Sequence, residues 1–285
     1  IDEELRETAA KAVTAARPHP STPAWDVYAQ PVVEKVEPFS VTGVRNQNAV
    51  TLALEYLLSR HPEAFLVGQD IGPYGSAFKT CKGLHETFGA ERVIDMPICE
   101  SAMTGFALGA SQTGGRPITE YQFADFSTEA TTQLALNCGT WYFRAGRNVP
   151  VLFRLPCGGG ITLGAFHSGE FEGVWARFPG LKVLYPATPQ EMFEALVAGF
   201  HDPNPCIVLE NKLLYTKAKG DIDFDGDLRS VWRPRRHVEG SEVTVAALGA
   251  MVESAIRAAG RTGVSADIWN PFVLAPMDIS PIAES

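Results

Sequence analysis

Two spacings of apolar residues take turns along this chain. In some stretches they fall three or four apart, as on one helix face; in others they run unbroken, as in a strand buried on both faces. Residues 2 to 16 carry Leu5, Ala9, Ala12, Val13 and Ala16 at helical spacing behind first-turn acids, and predict one helix. Arg17 to Tyr28 is too proline-rich to continue it and reads as an extended arm. From Phe39 the pattern alternates: residues 40 to 48 lead into a helix marked by Ala49, Leu52, Ala53, Tyr56 and Leu57 and closed by His61-Pro62, and Ala64 to Gly68 is a short buried strand. Glu100 then stands at a strand end. After it Ala102, Gly105, Ala107, Gly109 and Ala110 form a small-residue helix ended by Gly114-Gly115, and the next strand reaches Phe126 with Gln122 on the same face. Strands at Val151 to Pro156, Leu181 to Tyr185 and Cys206 to Glu210, with a helix from Pro186 to Phe200, continue the alternation.

Such alternation predicts an α/β fold with a mainly parallel, doubly wound sheet over residues 39–215. Residues 1–38 read as a helix and arm, and the polar run 216–240 as a linker. Residues 241–285 (Val243 to Leu248, a helix from Ala250 to Ala259, Ser265 to Ile268) start a second α/β domain with too few strands to be complete.

With 285 residues, 45% hydrophobic and 20% charged, the chain can bury one good core and begin another. The net charge of -9 argues against nucleic acid or an anionic membrane as partner, and the short basic patch Arg233 to His237 reads as a solvated hinge. No apolar run reaches the length of a membrane span, so a soluble intracellular protein is expected. The five cysteines have no paired spacing and read as reduced, buried thiols. Starting at Ile1 and stopping in mid-pattern, the chain reads as a fragment.

Glu100 and Phe126 are the residues with chemistry in them. An acid before a tightly packed helix and an aromatic after the following strand can grip a planar heteroaromatic ring, one bonding a ring nitrogen and the other stacking on its face. Spacing alone also allows a dipole-favoured acid and a core phenylalanine. Residues 68 to 78 hold Gly68, Gly72 and Gly75 but not the order of a phosphate loop, and read as a cleft loop.

Pro-Ile-Cys-Glu at 97–100, followed by Gln-Phe-Ala-Asp-Phe at 122–126, resembles the beta subunit of thiamine diphosphate-dependent 2-oxo acid dehydrogenase E1 components, and the likeness runs from about Phe39 to the end. The resemblance implies a pyrimidine-binding domain. Glu100 would bond the cofactor's pyrimidine nitrogen, with Phe126, Gln122, Ile98 and Gln69 in the same cofactor site. His167, in the family's His-Ser pair within a glycine-rich loop, would handle protons beside the reacting carbon. The family usually has Glu at Gln69, Gln at Gly169 and His at Arg177, so substrate identity does not carry over. A loop holding Asp202 and Asn204 resembles one that binds a structural monovalent cation, K+, in some relatives. The family's Gly-Asp-Gly motif for Mg2+ is missing, and Asp223, Asp225 and Asp227 lie in the polar run. The Mg2+ and diphosphate site is therefore expected from an alpha half, whose C-terminal end residues 1–38 resemble, as in an alpha-beta fusion. The other implied partners are a second beta copy, a lipoyl-bearing E2 and a small 2-oxo acid, in the bacterial cytoplasm or the mitochondrial matrix. Alternatives are a transketolase-like or deoxyxylulose phosphate synthase-like transferase and a non-catalytic structural subunit.

Overall fold

The computed structural model describes residues 1–17, 19 and 27–285. In chain order come α1 (Asp2–Thr14), β1 (Phe39–Arg45), α2 (Asn46–Arg60), β2 (Ala64–Gly68), α3 (Leu84–Phe88), β3 (Val93–Asp95), α4 (Glu100–Ser111) and β4 (Arg116–Glu120). A 3-10 turn (Ala124–Ala130) and a π-helical turn (Thr132–Cys138) lead into α5 (Gly139–Ala145), β5 (Leu152–Cys157), α6 (Glu172–Trp175), β6 (Lys182–Leu184), α7 (Pro189–His201), β7 (Cys206–Asn211) and α8 (Lys212–Lys217). The chain closes with β8 (Lys219–Phe224), β9 (Arg235–Val238), β10 (Val243–Ala246), α9 (Ala250–Thr262), β11 (Ala266–Asn270), β12 (Val273–Ala275) and α10 (Ser280–Ala283). The proline-rich arm lies largely outside the described residues.

Seven strands form the main sheet in the order β12-β6-β7-β5-β4-β2-β3, parallel throughout except for β12 against β6. This is the expected doubly wound architecture. Neighbouring residues in a strand point to opposite faces, so Leu66, Leu152 and Val208 join one apolar cluster with α2 and α7, while Val67, Phe153 and Leu209 join another with α4. Helix α7 is buried along its whole length. Thr188 Oγ1 accepts the Glu191 amide at 3.2 Å, Pro189 opens the first turn, and the Glu191 carboxylate reaches back to the Ala187 amide at 2.6 Å.

At the sheet's centre Arg154 is fully buried between two acids. Its guanidinium forks onto Glu210 at 2.7 and 2.9 Å and also bonds Glu120, while Tyr215 donates to Glu210 at 2.5 Å. Strands β4, β5 and β7 are thus tied through one cation. All five cysteines are free thiols, four of them buried and Cys99 half-buried.

Part of the polar run expected as a linker is instead a strand. Lys219–Phe224 pairs antiparallel with β1, from Phe39 opposite Phe224 to Arg45 opposite Lys219. Ile222 and Phe224 are buried while Asp221 and Asp223 face out, a two-residue alternation that acids and glycines obscured. Leu228 and Val231 are buried beyond it, and Arg235–Val238 forms β9. The C-terminal segment makes a three-stranded sheet, β10-β11-β9, yet also sends β12 back to the main sheet. Among the described residues no helix is long and apolar enough to cross a membrane.

Candidate functional site

A cavity of about 540 Å³ opens at the C-terminal edge of the parallel strands, the usual ligand position in such sheets. Ile98, Glu100, Gln122 and Phe126 all line it, with Cys99, Asp125, Thr128, Glu129 and Phe166. Glu100 is the first residue of α4, not the end of a strand, so its carboxylate sits where the helix dipole favours negative charge. It is 6% exposed, and among the described residues nothing hydrogen-bonds its carboxylate. Gln122 and Phe126 do not share a strand face as expected. Strand β4 stops at Glu120; Gln122 lies in the connection beyond it, and Phe126 on the 3-10 turn. A connection residue and a turn residue converge on the cavity where a strand would have spaced them along one face. Gln122 Nε2 donates to Asp70 Oδ2 at 2.5 Å, which joins the loop after β2 to the loop after β4.

His167 ends a short 3-10 turn, Ala165–His167. Its ring meets Phe123 edge-on at 4.5 Å between centroids and Phe126 at 5.5 Å. The loop is fastened just beyond. Ser168 Oγ donates to the Gly164 carbonyl at 2.7 Å, the Gly169 amide to Asp125 Oδ1 at 3.0 Å, and the Gly158 amide to the Gly169 carbonyl at 2.9 Å. A Cβ at Gly169 would stand 2.3 Å from the Phe171 ring and 2.8 Å from Asp125 Oδ1, which accounts physically for a glycine here. Arg177 is exposed.

Gln69 is not in the cavity. It is 3% exposed, directly after β2, and neither amide atom has a hydrogen-bond partner among the described residues. Its neighbour Asp70 is the loop's polar contact with the cleft. Asp202 and Asn204 are both buried and bonded to protein groups. Lys182 Nζ lies 2.5 Å from Asp202 Oδ2, and Asn204 exchanges hydrogen bonds of 2.7 and 2.8 Å with the Ala29 backbone. No spacing in the sequence singled out Asp125 or Phe123, though both sit inside the Gln-Phe-Ala-Asp-Phe motif. Lys212 was equally silent. It is 2% exposed just after β7, its Nζ lacks a hydrogen-bond partner among the described residues, and burial holds its pKa below the usual lysine value. A larger hollow, about 950 Å³, lies between α9 and the ends of β5 and β7, and none of the expected site residues lines it.

The family described as the transketolase pyrimidine binding domain matches residues 42–217. The 2-oxoisovalerate dehydrogenase subunit beta of Bacillus subtilis (strain 168) is 35% identical over 243 residues, spanning 84% of this chain and 74% of that protein. The mitochondrial pyruvate dehydrogenase E1 component subunit beta-2 of Oryza sativa subsp. japonica is 34% identical over 247 residues, 84% of this chain and 66% of that one. Among solved structures, a split gene transketolase, described as an inactive beta4 tetramer, superposes with a TM-score of 0.62 over 85% of this chain and 76% of the other; at 22% identity it speaks for the fold. The chain belongs to the family of E1 beta subunits of 2-oxo acid dehydrogenases, built on a transketolase-type pyrimidine-binding domain.

Proposed function

We propose that this chain forms the pyrimidine-binding half of a thiamine diphosphate site in a 2-oxo acid dehydrogenase E1 assembly. One observation supports the reading most directly: a nearly buried carboxylate with no hydrogen-bond partner among the described residues, Glu100, lines the same cavity as the Phe126 ring, Ile98 and the Gln122 amide. Such a set fits an aminopyrimidine, which offers a ring nitrogen to the acid and a flat face to the aromatic. When bound, the cofactor supplies the electron sink for decarboxylation of a 2-oxo acid. Glu100 would hold the proton at the pyrimidine nitrogen, Phe126 and Ile98 would cover the ring, and Gln122, fixed by Asp70, would bound its edge. His167, on the next loop, would give or take a proton at its imidazole nitrogen during acyl transfer to the lipoyl arm of a partner E2.

The described residues contain no group of three or more His, Cys, Asp or Glu arranged to hold a metal. We assign the Mg2+ and diphosphate contacts to an alpha half, fused or separate, because the family's Gly-Asp-Gly motif does not occur in this sequence. A second beta copy is assigned to the outer face of α4, where Phe106 is 45% exposed among small residues. The domain limits follow the same reading, with the pyrimidine-binding body at 39–215 and a second unit at the C-terminal end.

The test is reconstitution with an alpha half, followed by hydrogen-deuterium exchange at the thiazolium C2. Glu100→Gln should slow exchange by about 10²- to 10⁴-fold, the usual cost of losing an acid-base group. Wild-type exchange in this variant would remove the reading's central residue. Decarboxylation assays on pyruvate, 2-oxoisovalerate and 2-oxoglutarate then identify the substrate, and inactivity on all three would sink the dehydrogenase assignment.

A further inference from the structure

Two histidines meet at the opposite edge of the sheet from the cavity, where α2 and α7 end. His61 caps the C-terminus of α2 and His201 is the last residue of α7. Their Nε2 atoms are 3.2 Å apart. The other ring nitrogens are already committed. His201 Nδ1 lies 2.8 Å from the Val197 carbonyl, which can only accept, so that nitrogen carries the hydrogen. His61 Nδ1 lies 3.3 Å from Glu63 Oε1, also an acceptor, and carries its hydrogen too. Each neutral ring then presents its lone pair at Nε2. Two lone pairs at that distance repel unless something positive stands between them.

The ring geometry says which positive species fits. The ring centroids are 5.0 Å apart, closer than a head-on approach of the same two nitrogens would bring them. At least one ring axis is therefore bent away from the line that joins the two nitrogens, and the ring planes stand at 71° to each other. If both axes bend equally and in one plane, they would meet about 2 Å from each nitrogen at close to a tetrahedral angle, which is how imidazoles bind zinc. A shared proton favours a straight bridge instead.

We propose that His61 and His201 form a site for a borderline divalent transition metal of the Zn2+ class, oriented by Glu63 and the Val197 carbonyl and completed by water. Metal-bound histidines characteristically give their second N–H to a carboxylate or a backbone carbonyl, and this pair does one of each. The His61 side chain is 26% exposed, which leaves the ion a way in. Arg116, lying over the Phe200 ring and bonded to the Phe200 carbonyl, is the nearby charge that opposes an ion; Glu63 offsets it. Both helices point their C-terminal, electronegative ends at the site. A metal here clamps α2 to α7 and acts on stability, far from the cavity, so the inference stands whether or not the cofactor reading does.

The experiment titrates Zn2+ into the chelator-stripped 285-residue chain, followed by calorimetry and thermal unfolding. Wild type should bind one ion and unfold at higher temperature with it, while Mg2+ leaves the midpoint unchanged. His61→Ala and His201→Asn should each lose the binding, and Glu63→Gln should weaken it by about 10- to 100-fold. If His201→Asn folds poorly, His61→Ala, at a partly exposed position, decides alone. No Zn2+ binding by wild type, binding that survives in the histidine variants, or an equal response to Mg2+ would each overturn the proposal.

Discussion

The His167 imidazole stands edge-on to the Phe123 ring, centroids 4.5 Å apart and planes at 89°. Phe126 meets the same imidazole at 77°, so one 3-10 turn and the residue before it supply both rings that hold the histidine. An aromatic pair of this kind is worth about 0.5–1.5 kcal/mol, which corresponds to roughly 2- to 10-fold in rate if it positions a reacting group. In the reconstituted enzyme Phe123→Leu should slow lipoyl acylation by that factor. His167→Ala should slow it by about 10²- to 10⁴-fold. Neither should alter C2 exchange, the step proposed for Glu100. Equal acylation in wild type and His167→Ala would return this histidine to ordinary loop surface.

Gly169 has no room for a side chain. Its Cβ position falls 2.3 Å from Phe171 and 2.8 Å from Asp125. Gly169→Ala should therefore cost about 1–3 kcal/mol through overpacking, and loosen the loop that carries His167. Urea unfolding measures the first effect and limited proteolysis between residues 158 and 170 the second. A stability within error of wild type would mean that Phe171 moves aside freely.

Arg154 holds two buried carboxylates, and its own side chain is fully buried. Arg154→Met leaves Glu120 and Glu210 facing each other without a cation, and should lower stability by about 3–5 kcal/mol. Chemical denaturation gives the number. A loss below about 1 kcal/mol would show that one of the acids takes up a proton at little cost.

Much of this architecture was legible because burial writes a plain pattern. Strands such as Leu152–Cys157 and Cys206–Asn211 are apolar at most positions, and the helix from Pro189 announces itself with Thr188 and Glu191. The cavity residues were legible as types, through Pro-Ile-Cys-Glu and Gln-Phe-Ala-Asp-Phe, but not as geometry. Phe126 was assigned to a strand because an apolar residue after a strand looks the same whether the strand continues or turns. β8 was missed for the opposite reason: Asp221 and Asp223 fill its outward positions, and their polarity hid Ile222 and Phe224. Gln69 reads as a loop residue from its neighbours Gly68 and Asp70, yet the end of β2 turns it inward. His61 and His201 are 140 residues apart and belong to no motif, so only the fold brings them together.

His201 should also make stability sensitive to acid, measured with a chelator present so that only protons are read. Burial is the main cause that lowers its pKa from 6.5 to about 4. The unfolded chain takes up a proton on this ring as pH falls through about 6.5, while the folded protein resists it until near pH 4. The folded state thus suffers no penalty from His201 above about pH 6.5, and loses about 1.4 kcal/mol per pH unit below it, to a limit of about 3 kcal/mol. Carboxylates titrate over the same range, so the measurement is a difference. Urea unfolding at pH 7 and pH 4.5 should show wild type losing about 2 to 3 kcal/mol more than His201→Asn, whose amide still donates to the Val197 carbonyl. Parallel losses in the two proteins would mean that the folded protein admits a proton to this ring as easily as water does, and that His201 is not held neutral at the end of α7.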